Sequence, residues 1–259
     1  MPSVRDRALS ILDLLAHHPP ELPLAEIADR LDIPRAAAHR VLADLKETGY
    51  VRQDRDGGPY RLTAKIVTLA FAYLVGNGIP DVAQPVLDRL AEATGELVRL
   101  AVVDGDQLTW VAKAQGKQHG LRVDPDDGAE VYLVATANGQ AWLSCMDDDA
   151  ALAIAVRQGI RREGYGPGAP RSMAELLHAL QRARCNGFAM VVDAYEAGTS
   201  AVAVPILRKG GVVGTVSVAG PTIRLTEARM EGIAPILQEA AAELSLLAAG
   251  SPLFTTAKR

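Results

Sequence analysis

Residues 24–62 read LAEIADRLDIPRAAAHRVLADLKETGYVRQDRDGGPYRL, and the interpretation of the whole chain starts from this stretch. Apolar residues first recur at the spacing of one helical face, at Leu24, Ile27, Ala28 and Leu31. Asp32, Ile33 and Pro34 interrupt that pattern. A second apolar stripe follows, at Ala38, Val41, Leu42 and Leu45. The pattern predicts two short helices joined by a tight turn, the second of which runs from about Pro34 to Thr48 and stops at Gly49.

A short hairpin is predicted after the second helix. Residues 50–52 and 59–62 are strand-like, and Asp56, Gly57 and Gly58 form the turn between them. Helix, break, helix and hairpin in this order predict a winged helix-turn-helix, whose second helix enters the major groove of DNA. The candidate DNA contacts are the outward side chains of that helix and the basic residues of the wing: Arg35, Ala36, His39, Arg40, Lys46, Arg55 and Arg61. A plain helical hairpin with a solvated basic face is the alternative.

Length and charge bound this interpretation. A chain of 259 residues is long enough for two domains. The net charge of −4 gives no overall attraction to nucleic acid, and residues 1–78 carry ten basic and ten acidic side chains. We therefore expect modest DNA affinity from a single copy and a requirement for dimers.

The sequence lacks the patterns of several other protein classes. It has no long apolar run that would span a membrane and no secretory signal pattern, so a cytoplasmic protein is expected. Cys145 and Cys185 lack partners at metal-binding or disulfide spacing, and we expect buried free thiols. The adjacent His17 and His18 have no third ligand nearby, so no metal and no cofactor is predicted.

An enzyme is a different class of function, for which the candidate groups are few. The possible nucleophiles are Cys145, Cys185 and Ser200, and the possible bases are His119 and His178. None of them stands in a catalytic motif such as GxSxG. The sequence therefore predicts a protein that is not an enzyme.

The rest of the chain predicts an α+β second domain with an antiparallel sheet. Helices are expected at about 81–94, 147–157, 172–186 and 227–248, with a short one through 141–143 after a turn at 135–139. Strands are expected at 97–103, 108–114, 188–192, 199–207 and 212–219, with a further one at 120–123. The expected domains are 1–62 (winged helix), 63–78 (linker helix and hinge), 79–250 (ligand sensing) and 251–259 (tail).

Several segments, in order along the chain, resemble the IclR family of bacterial transcriptional regulators. They are AHRVLADLKETGYV (38–51), YRLTAKIVTLAFAYL (60–74), VAQPVLDRLAEATGELVRLAVVDG (82–105), ATANGQAWL (135–143), AGTSAVAVPI (197–206) and VSVAGPTIRLTEARMEGIAPILQEAAAELS (216–245). The resemblance implies an N-terminal winged helix that binds operator DNA and a C-terminal domain that binds a small metabolite. It also implies homodimers formed through the N-terminal domains, which can pair into tetramers.

The chain departs from the family pattern at informative positions. Asp32 replaces the usual Gly of the turn, and Asp tolerates left-handed backbone better than most residues. Alanines 36–38 replace the hydroxyl residues at the start of the recognition helix, so DNA contacts must depend more on Arg35, His39 and Arg40.

The resemblance also implies an effector pocket. Its residues in this chain are Leu121, Ala137, Asn138, Ala201, Ser217 and Ala219. Val191 stands where some members have an acid and Ala201 where some have Cys, so a more apolar pocket is expected. Asn138, Ser217 and the start of the helix after Gly139 are expected to orient an aromatic or acid-type ligand. The alternative is that Asn138 and Ser217 only satisfy backbone groups.

These observations predict a ligand-responsive, DNA-binding transcriptional regulator. A repressor is expected, although the residues do not give the sign of regulation. The alternative is a small-molecule sensor that acts through protein contacts and not through DNA.

Overall fold

A computed structural model of the chain describes residues 3–17, 21–55, 57–69, 83–116, 131–209 and 211–247. The chain divides into two compact units, Met1–Gly76 and Asn77–Arg259. Each unit has its own hydrophobic core. Among the described helices, none combines the length and the apolar character that a membrane span requires.

The first unit is a winged helix-turn-helix, as the sequence predicts. Its elements are α1 (Val4–His17), α2 (Leu24–Arg30), α3 (Arg35–Glu47), β1 (Val51–Gln53) and β2 (Tyr60–Leu62). Ser3 and Asp6 form a capping box at the start of α1, with reciprocal bonds of 2.8 and 3.2 Å. Residues 65–69 are helical and belong to the linker helix and hinge expected at 63–78, of which residues 70–78 lie outside the described residues.

The apolar stripe of α3 packs into the core of the first unit. The four predicted residues, Ala38, Val41, Leu42 and Leu45, are all buried. Asp32 occupies the turn before α3 with φ of +50°, in the left-handed region that aspartate tolerates better than most residues. Pro34 precedes the helix with extended backbone, so α3 begins one residue later than predicted.

The wing is a two-stranded antiparallel sheet. Val51 pairs with Leu62, and Gln53 pairs with Tyr60. Tyr60 also exchanges backbone hydrogen bonds with Leu22, at 3.0 and 2.8 Å, which ties the wing to the segment before α2. Because Tyr60 is buried with α1 and α3 in one cluster, the position of the wing is fixed relative to α3.

The second unit is an antiparallel sheet with helices, as predicted. Its helices are α4 (Gln84–Thr94), α5 (Ala137–Leu143), α6 (Asp148–Gln158), α7 (Met173–Asn186) and α8 (Glu227–Leu247). Its strands are β3 (Leu97–Asp104), β4 (Gln107–Gln115), β5 (Ala189–Val192), β6 (Thr199–Arg208) and β7 (Gly211–Pro221). The further strand expected at 120–123 lies outside the described residues.

The five strands form one sheet in the order β4-β3-β7-β6-β5, with antiparallel neighbours throughout. Consecutive residues 213–221 of β7 are all buried, so side chains on both faces of this central strand are covered. Helices α4 and α8 pack on the sheet and on each other, and α5 packs on β5, β6 and β7. The sheet therefore brings residues from distant parts of the sequence together beside α5.

A buried carboxylate lies where the sheet meets α4. Glu96 is 2 % exposed, and Arg224 donates two hydrogen bonds to it at 2.9 Å. Arg229 reaches Glu96 at 3.5 Å and donates to the carbonyl oxygen of Thr94 at 2.7 Å. These bonds tie the β3 end of the sheet to the segment that leads into α8. The hydrogen bond with Glu96 raises the pKa of Arg224, which keeps this guanidinium charged.

Two sequence expectations in this unit are wrong. The sequence predicts a turn up to Gly139 before α5, but the helix begins at Ala137 because the Thr136 hydroxyl accepts a bond from the Gly139 N–H at 3.1 Å. Burial is predicted for Cys145 and Cys185, but both residues are exposed. Cys145 follows the last turn of α5, and partial burial of its sulfur raises the pKa of the thiol.

Candidate DNA interface and effector cavity

The predicted recognition face of α3 lies on the surface. Ala36, His39 and Arg40 are exposed side by side on the face opposite the buried stripe. His39 and Arg40 make no side-chain hydrogen bond or ion pair within the described residues. Arg40 is therefore a cation available to a polyanion.

The other predicted DNA-contacting residues differ in the intramolecular contacts that their side chains make. Arg35 is exposed and lies 3.9 Å from the Asp29 carboxylate, a distance at which the pair is weak. Lys46 contacts Gln53 of the wing at 3.4 Å, and Arg55 is exposed on the hairpin. Arg61 is bonded to Asp54, and this bond anchors the wing. The structure thus assigns Arg61 an intramolecular role that the sequence did not reveal.

The first turn of α3 has no side-chain cap. Pro34 precedes the helix and offers no oxygen to the first amides, and no acidic residue lies in the first turn. The alanines at 36–38 place no hydroxyl there. The helix dipole and these amide groups therefore favour an anion such as a DNA phosphate at this end of α3.

In the second unit, one cavity lies between the sheet and the start of α5. Five of the six residues predicted for the effector pocket line it: Ala137, Asn138, Ala201, Ser217 and Ala219. The sixth, Leu121, lies outside the described residues. The other lining residues are Arg99, Trp110, Thr136, Val191, Tyr195, Thr199 and Ser200. We call this site the Arg99 cavity.

Arg99 changes the chemistry expected of this cavity. The residue is 8 % exposed, and its guanidinium carbon lies 4.1 Å from the centre of the Trp110 ring. In the sheet it stands opposite Ser217 of β7 and Lys113 of β4. The cavity is therefore not simply apolar, because a planar cation on an aromatic face lies in its wall.

Sequence reasoning missed Arg99 although a signal was present. A single arginine interrupts the apolar run Leu97–Val103, and a charged residue at such a position is buried only for a reason. Trp110 and Tyr195 were missed because their contact, at 6.2 Å between ring centres, depends on the fold and not on local spacing. The indole N–H of Trp110 is buried and has no hydrogen-bond partner among the described residues.

The polar groups near α5 are partly used within the protein. The Asn138 amide N–H₂ donates to the Thr215 hydroxyl at 2.9 Å, and both residues are buried. The start of the helix after Gly139 was expected to face an anion, but the helix begins earlier and its Gly139 N–H donates to the Thr136 hydroxyl. Two features of the cavity could hold an anion, namely the Arg99 guanidinium and the start of α5. Arg99 is the stronger of the two because it carries a full charge.

The described part of the Arg99 cavity has a volume of about 30 Å³. A cavity needs about 10–15 Å³ of such space to hold one water molecule, so this volume holds only about two. A ligand with an aromatic ring is larger, so its binding requires the lining side chains or the elements that carry them to move apart.

The candidate catalytic groups that the structure describes do not form one site. Ser200 lines the Arg99 cavity and donates to the Thr222 hydroxyl at 3.1 Å, whereas His178 lines a separate groove along α7. His119 lies outside the described residues. No pair of nucleophile and base is thereby assembled among the side chains that the structure describes.

A winged helix followed by a sheet domain with a lined cavity is the architecture of a DNA-binding transcriptional regulator with a separate sensing domain. The family models agree. The IclR helix-turn-helix domain matches residues 5–55, and the bacterial transcriptional regulator IclR C-terminal domain matches residues 71–246. The chain belongs to the IclR family of bacterial transcriptional regulators.

Characterised relatives align over nearly the whole chain. The Pca regulon regulatory protein of Pseudomonas putida is 29 % identical over 243 residues, which cover 92 % of this chain and 81 % of that protein. The regulator BhcR of Paracoccus denitrificans is 30 % identical, with 93 % and 85 % covered. The repressor AllR of Salmonella typhi is 27 % identical, with 93 % and 88 % covered.

Solved structures show the same fold. The IclR transcriptional regulator from Alicyclobacillus acidocaldarius has a TM-score of 0.82 and 25 % identity, and the match covers 96 % of this chain and 100 % of that one. An IclR homolog from Microbacterium hydrocarbonoxydans, solved in complex with 4-hydroxybenzoate, has a TM-score of 0.76 and 21 % identity, with 96 % and 100 % covered.

Proposed function

We propose that this chain is a homodimeric repressor that binds operator DNA through α3 and the wing and is controlled by an aromatic carboxylate bound in the Arg99 cavity. The observation that carries the ligand class is the buried Arg99 guanidinium stacked on Trp110. A guanidinium binds a carboxylate through two parallel hydrogen bonds, and the burial of this one makes such a pair stronger than on a surface.

The remaining lining suits the ring of the ligand. Trp110 and Tyr195 offer aromatic surfaces on which a ring can pack. Ala201 and Ala219 are small and leave space for the ring, and Val191 adds an apolar contact. Ser217 lies opposite Arg99 and can bond a second polar group of the ligand. A ring that carries a carboxylate and a hydroxyl, such as 4-hydroxybenzoate, matches this arrangement.

DNA binding is supported by the exposed face of α3. Arg40 and His39 can reach base edges or phosphates, and Arg35, Lys46 and Arg55 lie around them for phosphate contacts. Two such helices related by a two-fold axis would read two half-sites, which compensates for the lack of net positive charge in residues 1–78.

The two sites are coupled, in this proposal, by the segment 63–78. Opening of the Arg99 cavity would change how the segment presents the two winged helices of a dimer. A coupling of about 1–3 kcal/mol would shift operator affinity by roughly 5- to 150-fold. Repression is the proposed mode, in keeping with the relative AllR, which is a repressor by name.

The test is a mobility-shift titration of the purified protein against the DNA that flanks its own gene, at low and moderate salt. We expect a specific, salt-sensitive shift that 4-hydroxybenzoate or a similar acid changes and that cyclohexanol does not. A folded dimer that gives no shift even at low salt would contradict the proposal and favour a sensor that acts through protein contacts.

Replacing Arg40 with alanine is expected to weaken operator binding by about tenfold or more, because one base or phosphate contact contributes about 1–3 kcal/mol. The fold is expected to survive, since Arg40 is exposed and unpaired within the described residues. The measurement is the same mobility shift. Arg182→Ala, which removes an exposed arginine from α7, is the matched control and should bind normally. Equal affinities for the two variants would refute the assignment of Arg40.

Replacing Asn138 with leucine is expected to abolish or strongly reduce the effect of the acid on the mobility shift, while operator affinity without ligand stays the same. Leucine has a similar volume but cannot donate to Thr215 or to a ligand. Asn186→Leu, at the exposed end of α7, is the control. An unchanged response in Asn138→Leu would remove this residue from the effector site.

A further inference from the structure

A second concavity in the second unit lies apart from the Arg99 cavity. It is a cleft of about 260 Å³ formed mainly by residues 160–171, which connect α6 to α7. Its charged lining residues are Arg161, Arg162, Arg171 and Glu163, and its aromatic ones are Tyr132 and Tyr165. We call it the arginine-tyrosine cleft. Among the described residues, it shares no lining residue with the Arg99 cavity.

The arginines of this cleft differ from most others in the unit. Arg89, Arg157 and Arg184 each contact a carboxylate at 2.6–2.8 Å. In contrast, no guanidinium group of the three cleft arginines lies within 4.0 Å of a carboxylate in the part of the chain that the structure describes. The backbone N–H of Arg171 donates to the Glu175 carboxylate at 2.8 Å. The cleft lining carries three positive charges and one negative charge, although the whole chain is at −4. An excess of positive charge around a concave surface attracts and concentrates anions.

The floor of the cleft is aromatic and firmly held. The rings of Tyr132 and Tyr165 lie 4.2 Å apart between centres, and the Tyr132 hydroxyl donates to the Ile160 carbonyl at 2.9 Å. The guanidinium carbon of Arg162 lies 5.0 Å from the Tyr132 ring centre, and its Nε donates to the Gln158 carbonyl at 2.8 Å. These contacts hold one planar cation beside the Tyr132 ring, which itself packs against Tyr165.

The backbone that carries the cleft is also fixed. The Gly166 N–H donates to the Ala194 carbonyl at 2.9 Å, and the Gly168 N–H donates to the Asp193 carbonyl at 2.8 Å. A Cβ atom on Gly166 would stand 2.1 Å from the Asp193 oxygen, so a glycine is required for this close approach. Because the segment is held against the end of β5, little ordering is needed when a ligand binds.

From this arrangement we infer that the arginine-tyrosine cleft is a second ligand site and that it takes an aromatic oxyanion. The ring of such a ligand would pack on Tyr165, while its oxyanion would accept hydrogen bonds from the guanidinium groups at the rim. The site does not depend on the effector proposal. Tyr165 nevertheless contacts Tyr195 of the Arg99 cavity, at 5.5 Å between ring centres, so the two sites are neighbours.

Phenyl phosphate is the probe for this site, since it joins an aromatic ring to an oxyanion. Calorimetric titration of the full-length protein is expected to give a dissociation constant on the order of 1 mM or tighter. In the double variant Arg162→Gln/Arg171→Gln the affinity should fall by about tenfold or more, because two charged hydrogen-bond donors are replaced by neutral ones. Arg182→Gln removes an exposed arginine outside the cleft and should bind like the unmodified protein.

Two further titrations distinguish binding in this cleft from binding in the Arg99 cavity and from general attraction of anions. Asn138→Leu alters the Arg99 cavity and leaves the cleft unchanged. If this variant still binds phenyl phosphate, the result supports the cleft. If this variant loses binding while Arg162→Gln/Arg171→Gln retains it, the proposal is overturned. Inorganic phosphate should bind several-fold more weakly than phenyl phosphate. Three results would each overturn the inference. They are equal affinities for phenyl phosphate and inorganic phosphate, a loss of affinity in Arg182→Gln as large as that in the double variant, and no binding of phenyl phosphate at about 5 mM.

Discussion

Replacing Arg99 with methionine is expected to reduce the affinity for an aromatic carboxylate effector by about 100-fold, or ~3 kcal/mol. Methionine keeps an unbranched apolar stem against Trp110 but removes the charge and its hydrogen bonds. The carboxylate would then be buried without a partner, which costs more than the loss of a single neutral hydrogen bond. The measurement is calorimetric titration with the acid that changes the mobility shift, beginning with 4-hydroxybenzoate.

The corresponding methyl ester provides the control for Arg99. The ester keeps the ring but carries no charge, so it should bind the protein and the Arg99→Met variant with similar affinities. Comparison of the four affinities isolates the energy between the guanidinium and the carboxylate. A variant that loses acid and ester equally would show that Arg99 shapes the cavity without recognising the charge, and that the proposed ligand class is wrong.

Replacing Glu96 with alanine is expected to lower the free energy of unfolding by about 3–5 kcal/mol. The carboxylate is 2 % exposed and accepts two hydrogen bonds from Arg224 at 2.9 Å. Its removal takes away the buried carboxylate that both the Arg224 and the Arg229 guanidinium groups contact, while the two positive charges remain. The change also opens a space beside Gly220, whose backbone packs against the Glu96 side chain.

Urea unfolding followed by circular dichroism measures this effect, and Glu243→Ala is the matched control. Glu243 pairs with Arg89 at 2.6 Å, but both side chains are about half exposed, so its loss should cost less than about 1 kcal/mol. If the two variants were equally stable, the Glu96 cluster would contribute no more than a surface ion pair.

The first unit could be predicted in detail because its determinants are local. The apolar spacing of α3 identifies all four buried residues, and Gly49 and Asp32 identify turns in which the backbone has a positive φ. Each of these features depends on side chains within a few residues of one another. The sequence was less informative about Arg61, because the ion pair with Asp54 forms across the hairpin.

The second unit shows where local reasoning ends. Most strands and helices of this unit were predicted from the sequence within a few residues of their observed bounds. Gly95 and Gly187 end α4 and α7 in the left-handed conformation, which is a local feature of the sequence. Five residues of the cavity came from the family resemblance and not from their spacing. Arg99 and Ser217 are separated by more than a hundred positions and meet only because β3 pairs with β7. The tertiary fold determines which strands pair. Hydrophobic periodicity and secondary-structure propensity do not predict this pairing.

The small volume of the Arg99 cavity also has a kinetic meaning. If the ligand enters only after the lining has opened, the observed rate of binding will reach a plateau at high ligand concentration. The plateau equals the rate at which the cavity opens and lies below the limit set by diffusion. An open form that makes up about 1 % of the molecules would weaken the apparent affinity about 100-fold relative to that of the open form itself. Such a regulator would ignore brief changes in metabolite concentration and respond to those that outlast its own opening.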